Sequence, residues 1–276
     1  NTVGLSAAGL VNITGDRTQG VIISGLTSIG GDNTSGLMIS GFMNVTGNMA
    51  SGLHFSGAAN ITGQSFGGLM ASGLLNVVGE HMNGLQMAGI ANITASKLNG
   101  VQIALCNYAT QARGLQIGLV NYYKEDMKGF QLGLVNANPD TRVQMMVYGG
   151  NATPANIGVR FKNQLFYTIL GIGSMYQGLN DKFSASASYR AGLSFTLYKG
   201  LSISGDLGYQ HIEAFDNKDE VIPKRLYALQ ARANLEYQFT RKFGIFATGG
   251  YGLTRFYNKS SNYDKGAIIE AGIVLF

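Results

Sequence analysis

Gly36-Leu37-Met38-Ile39-Ser40-Gly41-Phe42-Met43-Asn44-Val45-Thr46-Gly47 decides how the first half of this chain folds. The stretch returns, with substitutions, every sixteen residues. Gly20, Gly36, Gly52, Gly68, Gly84 and Gly100 form one series at that spacing, and Gly9, Gly25, Gly41, Gly57, Gly73 and Gly89 form a second. Asn12, Asn44, Asn60, Asn76 and Asn92 form a third, with Ser28 standing in once. Beyond Gly100 the unit shortens to G-L-Q-I-G-L-V-N, in Gly114–Asn121 and again in Gly129–Asn136. Three series that keep step over nine units mark a repeat architecture.

Sixteen residues are too few for a helical repeat, which needs two amphipathic helices and typically more than about 30 residues. Glycine at this density would also destabilise any helix. A β-solenoid coil fits: two short strands, two corners that glycine permits and one polar loop close a turn, and successive coils stack at about 4.8 Å. Nine coils would extend roughly 40–45 Å. On this reading the variable segments Asp32–Ser35, Asn48–Ser51 and Glu80–Asn83 are outer loops. Asn44, Asn60, Asn76, Asn92, Asn107, Asn121 and Asn136 stack as an amide ladder along the axis, satisfying one another's hydrogen bonds. The same register accounts for most of the Asn-x-Thr/Ser matches at Asn12, Asn33, Asn44, Asn60 and Asn92 better than glycosylation does. A rival arrangement, with every unit giving two strands to one large barrel, fails on length. A strand of six or seven residues tilted by about 40° rises only about 15–18 Å, short of the ~25 Å apolar band of a membrane.

Composition agrees with repeated tight turns. The 276 residues include 40 glycines and only 3 prolines, no tryptophan, and 14 each of Tyr and Phe. Charge is low, at 13%, and uneven: residues 1–100 hold only Asp16, Arg17, Asp32, Glu80 and Lys97, whereas residues 143–276 hold 23 charged side chains. A net charge of +5 without a Lys/Arg-rich run argues against nucleic acid as a partner. Cys106 is the lone cysteine, so no internal disulfide forms, and its apolar setting in Ile103-Ala104-Leu105-Cys106 reads as a packed thiol. No apolar run reaches the 18 residues of a transmembrane helix. No secretory leader is recognisable, as expected of a mature chain starting at Asn1.

From Val143 the texture changes to long period-two alternation. In Phe183–Leu197, Phe183, Ala185, Ala187, Tyr189, Ala191, Leu193, Phe195 and Leu197 share one face, opposite Ser184, Ser186, Ser188, Arg190 and Ser194. In Leu226–Thr240 the odd positions are Tyr, Leu or Ala up to Phe239, and the even ones include Gln230, Arg232, Asn234 and Glu236. Alternation over about 14 residues exceeds a soluble strand and suits a membrane strand with a lipid face and a polar lumen face. Eight strands are predicted, near 143–151, 155–163, 164–176, 183–197, 200–212, 226–240, 242–257 and 264–276. Tight connections alternate with the longer polar ones at 177–182, 213–225 and 258–263. Tyr198, Tyr209, Tyr227, Phe239, Phe243, Phe256 and Tyr257 fall near strand ends, like interfacial girdles. The expectation is thus an all-β chain: a β-solenoid over residues 1–142, then an eight-stranded antiparallel transmembrane β-barrel over 143–276.

The ending Ala271-Gly272-Ile273-Val274-Leu275-Phe276 resembles the closing strand of bacterial outer-membrane barrels, with Phe276 as the signal that the barrel assembly machinery recognises. The G-L-Q-I-G-L-V-N units are similar to glycine-rich surface-repeat proteins of Bacteroidota-like and spirochaete bacteria, a resemblance that implies little about activity. One departure stands out: if Phe276 faces lipid, Glu270 falls on the same face, which calls for a bulge or register shift in the last strand.

Inside an eight-stranded barrel side chains fill the space. Arg190, Asp206, Arg232 and Glu236 are expected there as a balanced salt-bridge network rather than a conduction path. For catalysis the best constellation is His211 and Glu213 with Asp216 beyond, but no serine stands obviously beside it. His54 and His81 occupy different repeat registers, and no metal-ligand or phosphate-loop spacing appears, so no cofactor is expected. The functional expectation is a non-enzymatic scaffolding protein of the bacterial outer membrane. Its barrel contacts outer-membrane lipid, and its repeats, on the periplasmic side, meet other outer-membrane proteins in a complex. A surface adhesin or glycan-binding protein and a lipid-modifying barrel enzyme are the alternatives.

Overall fold

The computed structural model describes residues 1–174, 176, 179, 183–215, 225–257 and 262–276. Every regular element among them is a strand, and the chain divides into two compact units, Asn1–Pro139 and Asp140–Phe276.

The first unit begins β1 (Thr2–Ala8), β2 (Val11–Ile13), β3 (Arg17–Ser24), β4 (Thr27–Gly30), β5 (Asn33–Ser40), β6 (Met43–Thr46), β7 (Met49–Ser56) and β8 (Ala59–Thr62). It continues β9 (Ser65–Ser72), β10 (Leu75–Val78), β11 (His81–Ala88), β12 (Ala91–Ile103), β13 (Cys106–Ile117), β14 (Val120–Leu132) and β15 (Val135–Ala137). Up to β11 the longer odd-numbered strands stack in parallel on one another, and so do the short even-numbered ones. Each residue pairs with its equivalent one coil on, Gly36 with Gly52 and Asn44 with Asn60. This is a β-solenoid, and the sixteen-residue period is its coil length. From β12 onward one strand bends to serve both stacks, with irregularities after Thr94 and Ala109, and the coil shortens there.

Glycine holds the inner bend of each long strand for a steric reason. At Gly68 the backbone has φ +128°, and a Cβ would lie 2.2 Å from the carbonyl oxygen of Gly52 in the coil before. No L-residue with a side chain fits both constraints.

Two expectations need correction. Asp32–Ser35, Asn48–Ser51 and Glu80–Asn83 are not loops: after one residue at the bend they open β5, β7 and β11. Their variability reflects the outward-facing strand positions among them rather than irregular backbone, while Thr34, Ala50 and Met82 point into the interior. Cys106 is exposed, not packed. It opens β13 in register with Ala91 and Val120, a position that faces outward in every coil.

The second unit is a closed antiparallel barrel of β16 (Arg142–Gly150), β17 (Ala155–Asn163), β18 (Phe166–Ser174), β19 (Ser184–Tyr198), β20 (Leu201–Ala214), β21 (Arg225–Thr240), β22 (Phe243–Phe256) and β23 (Asn262–Leu275). The eight strands fall where the alternation puts them. Closure comes from β23 pairing β16, with Met145 opposite Leu275. Of the longer connections anticipated, 177–178, 180–182, 216–224 and 258–261 lie outside the described residues, and Asp216 with them. β23 pairs with β22 without a shift from Asp264 to Leu275, and the irregularity in that pairing lies at Asn262–Asp264, away from Glu270. Glu270 is buried in the lumen, as are Ile268 and Val274, whereas Phe276 is exposed because it leaves the strand at φ +77°. A left-handed φ turns the last side chain out of the alternation, so its face says nothing about Glu270.

Candidate functional site

The solenoid interior is polar along one wall. Asn44 donates to Asn60, Asn60 to Asn76, Asn76 to Asn92 and Asn92 to Asn107, each from Nδ2 to Oδ1 at 2.8–3.1 Å. Asn107 continues to Asn121, and Asn121 to Asn136, both at 2.9 Å. Asn12 stands apart from this run, accepting from Ser6 and facing Ser28 across the coils. A second ladder went unread in the sequence: Gln102 donates to Gln86, Gln116 to Gln102 and Gln131 to Gln116, each at 2.8 Å. Its signal was the repeated Gln of G-L-Q-I, inward by strand parity.

Asn60 also donates to the Ala71 carbonyl, so its amide serves three bonds counting the one it accepts. Asn60→Leu should therefore lower unfolding stability by about 1–3 kcal/mol, the cost of leaving buried partners unpaired. Denaturant titration checks this; a variant as stable as the parent would mean the ladder carries no load.

His54 occupies the position that Met38 and Met70 hold in the neighbouring coils, edge-on to the Phe66 ring at 4.9 Å, with Nε2 unpartnered. Burial pushes its imidazole from 6.5 down to about 4. The unfolded chain then binds the extra proton between those values, so stability falls as pH drops from about 6.5 to about 4 and levels off below. His54→Met should remove that component. The quantity to measure is the wild-type-minus-variant difference in denaturation midpoint between pH 7.5 and 4. A difference that does not change with pH sinks the idea. His81 lies in another column, half-buried beside Glu80, and the described residues hold no cluster of three or more His, Cys, Asp or Glu fit for a metal.

In the barrel, Arg190 grips Asp206 with two bonds at 2.8 and 2.7 Å, and Asn234 and the Tyr167 hydroxyl donate to the same carboxylate at 2.8 and 2.7 Å. Arg232 donates to both oxygens of Glu270 at 3.1 and 3.2 Å. Arg160 reaches Glu236 at 2.5 and 3.0 Å and is held by Gln144. All six charges are buried. The four lumen residues singled out in the sequence thus meet two that were not, Arg160 and Glu270. Arg160 stands between outward Val159 and the larger Phe161, so parity could have found it. Geometry matters more than the count. β17 and β21 are four strands apart in an eight-stranded ring, so the Arg160–Glu236 pair ties opposite walls. Arg190 on β19 and Glu270 on β23, 3.7 Å apart, do the same.

His211 and Glu213 point away from the lumen. His211 shares a 2.7 Å hydrogen bond with the Tyr257 hydroxyl and lies 3.3 Å from Glu213, whose carboxylate is engaged by Arg225. They edge an apolar depression of about 980 Å³ on the outer wall, beside Ile157, Ile172, Ala185 and Ala187. Ser174 also borders it, but β19 intervenes between the strands of Ser174 and His211, which puts them about 10 Å apart, beyond hydrogen-bond reach.

Outward residues of the barrel are mostly aliphatic between two aromatic bands, with Phe195 and Tyr251 among them. Tyr198, Tyr237, Phe239, Phe243 and Phe276 mark one end, and Phe183, Tyr209, Phe215, Tyr227 and Tyr257 the other. On β21 the ten steps from Tyr227 to Tyr237 span about 25 Å along the axis at ~3.3 Å rise and ~40° tilt.

Neither a protein-family model nor a curated protein matches the sequence. Among solved structures, the chain is similar to the N-terminal β-barrel domain of Pseudomonas aeruginosa OprF, at 16% identity and a TM-score of 0.32, over 48% of this chain and 93% of that one.

Proposed function

We propose that this is a non-enzymatic structural protein of a bacterial outer membrane: a barrel that anchors without conducting, and a repeat module that docks onto other components of an outer-membrane assembly. The observation that carries this is the pair of ion bridges joining opposite barrel walls, Arg160–Glu236 and Arg190–Glu270. A lumen crossed by buried charges paired with one another is filled rather than open. Two aromatic bands about 25 Å apart, with mostly aliphatic side chains between them, fit the apolar thickness of an outer membrane. The His211–Glu213 pair supports no hydrolytic reading, since Arg225 and Tyr257 take its polar atoms and Ser174 is out of reach.

The even strand number supports one orientation. β16 begins and β23 ends at one rim, where the connections β17–β18, β19–β20 and β21–β22 are only two residues long. Short turns belong on the periplasmic side of such barrels, so the repeat module, which precedes β16, is periplasmic. Single cysteines in a Cys106→Ser background test this with a membrane-impermeant maleimide on intact cells. Pro154, exposed between β16 and β17, serves as the outer site. Pro154→Cys should label directly, and Asn48→Cys only after the outer membrane is permeabilised. The reverse pattern would invert the orientation, and equal labelling of both would remove the membrane-spanning barrel itself.

A further inference from the structure

The solenoid carries apolar side chains over much of its outside as well as in its core, and the outward ones are organised. Coil by coil, the outward positions form columns along the axis. Those of Leu37, Ile39, Met43 and Val45 follow the strand registers, and that of Phe42 follows the bend hydrogen bonds from Leu26 through Leu74 to Ile90. None of these five columns contains a charged residue in any coil. The Phe42 column is a ridge: Leu26, Phe42, Leu74, Ile90, Leu105 and Leu119 are each about half exposed, and only the small Ala58 is shielded between its neighbours. Charge and amide groups sit instead on the opposite corner, in the columns of Asp32, Asn33 and Ser35. There Asn48 bonds Asp32, Asn99 bonds Asn83 and Gln111 bonds Glu125 along the axis, each at 2.9 Å.

The module is therefore a prism with one apolar edge and one polar edge. Its apolar surface is about 40 Å long and of roughly 1,000 Å², well beyond what a soluble monomer leaves bare. Three features select what covers it. The two apolar walls meet at a convex corner, Gly41-Phe42, and a folded partner lying on one wall leaves the other uncovered, whereas fluid hydrocarbon wraps both. A protein interface of this area would carry about one hydrogen bond per 100–200 Å², yet Thr27 and the hydroxyls of Tyr108 and Tyr122 are the only oxygen or nitrogen side-chain groups in the five columns. Those two tyrosines, stacked at 5.8 Å, sit in the Val45 column where the apolar wall gives way to the polar corner, as aromatic residues do at a membrane–water boundary. From Phe42 to Val45 the short wall is about 10 Å deep, matching the immersion of interfacial elements.

We infer that the repeat module is a monotopic membrane element: it lies with its axis along the membrane plane, the Phe42 edge sunk in the acyl chains of one phospholipid leaflet and the Asp32 edge in water. The inference rests on reading the barrel as a membrane anchor, and it narrows where protein partners dock to the polar edge.

Spin labelling of the full-length protein in vesicles of phosphatidylethanolamine and phosphatidylglycerol tests it. The native Cys106, in the Met43 column, is one label site; Leu74→Cys, Ser51→Cys and Ala233→Cys in a Cys106→Ser background are the others. Labels at 106 and 74 should collide readily with oxygen and be several-fold protected from an aqueous nickel chelate, while the label at 51 shows the opposite. Nickel access at 74 equal to that at 51 overturns the proposal, since the edge is then in water. Protection at 74 from both oxygen and nickel also overturns it, because a second copy of the chain then covers the edge. The label at 233, on the barrel wall, reports the anchor separately. If it is water-accessible, the barrel reading has failed; if it is in lipid while 74 is not, only the present inference has.

Discussion

Asp206→Ala should destabilise the barrel by about 3–5 kcal/mol, the usual penalty for stripping one partner from a buried ion pair. The substitution leaves Arg190, 1% exposed, with neither of its short carboxylate bonds. Its remaining contacts, Asn234 at 3.1 Å and Glu270 at 3.7 Å, are longer and are themselves engaged by Thr248 and Arg232. Tyr167 and Asn234 lose their acceptor at the same time. Much of the loss thus comes from groups left unpaired rather than from the pair itself, and the double change Arg190→Met with Asp206→Leu should recover most of it. Urea unfolding of the protein in lipid vesicles, read by tyrosine fluorescence, gives both values. If the single substitution falls within 1 kcal/mol of the parent, water reaches Arg190 and the lumen is not the closed structure described.

The same residues show what sequence could and could not give. The sixteen-residue period made the solenoid legible because parallel in-register stacking forces equivalent residues onto one another, as at Asn60 and Asn76. Position within the coil was less legible. Asn48–Ser51 vary because most of those side chains point outward, and outward freedom in a strand looks the same on paper as a loop. In the barrel, period two located the strands, and parity located Arg190, Asp206, Arg232 and Glu236 inside. It failed for Glu270 because the register was counted from Phe276, whose φ of +77° breaks the alternation at its last step. It passed over Arg160 because β17, with nine residues, is shorter than β19 to β23 and offers fewer alternations to set the face. Pairing across the lumen, Arg160 with Glu236 over 76 positions, is a product of closure and has no local signature.

The outer wall offers the sharper test of the membrane reading, because its response depends on depth. On β21, Ala231 and Ala233 stand midway between Tyr227 and Tyr237, and Leu235 is one outward position from the Tyr237 band. An arginine at the centre of the apolar belt must keep its guanidinium among acyl chains or drag water and headgroups to it. One near the band reaches the headgroups along its own stem. Ala233→Arg should therefore cost about 2–4 kcal/mol and Leu235→Arg distinctly less, although Leu235 gives up more apolar surface. On a barrel standing in water the order reverses: losing the leucine is then the larger insult, and an exposed Ala→Arg is close to neutral. Unfolding titrations of both variants in lipid vesicles read the ranking directly, and a cost at 235 that equals or exceeds the cost at 233 would remove β21 from the membrane.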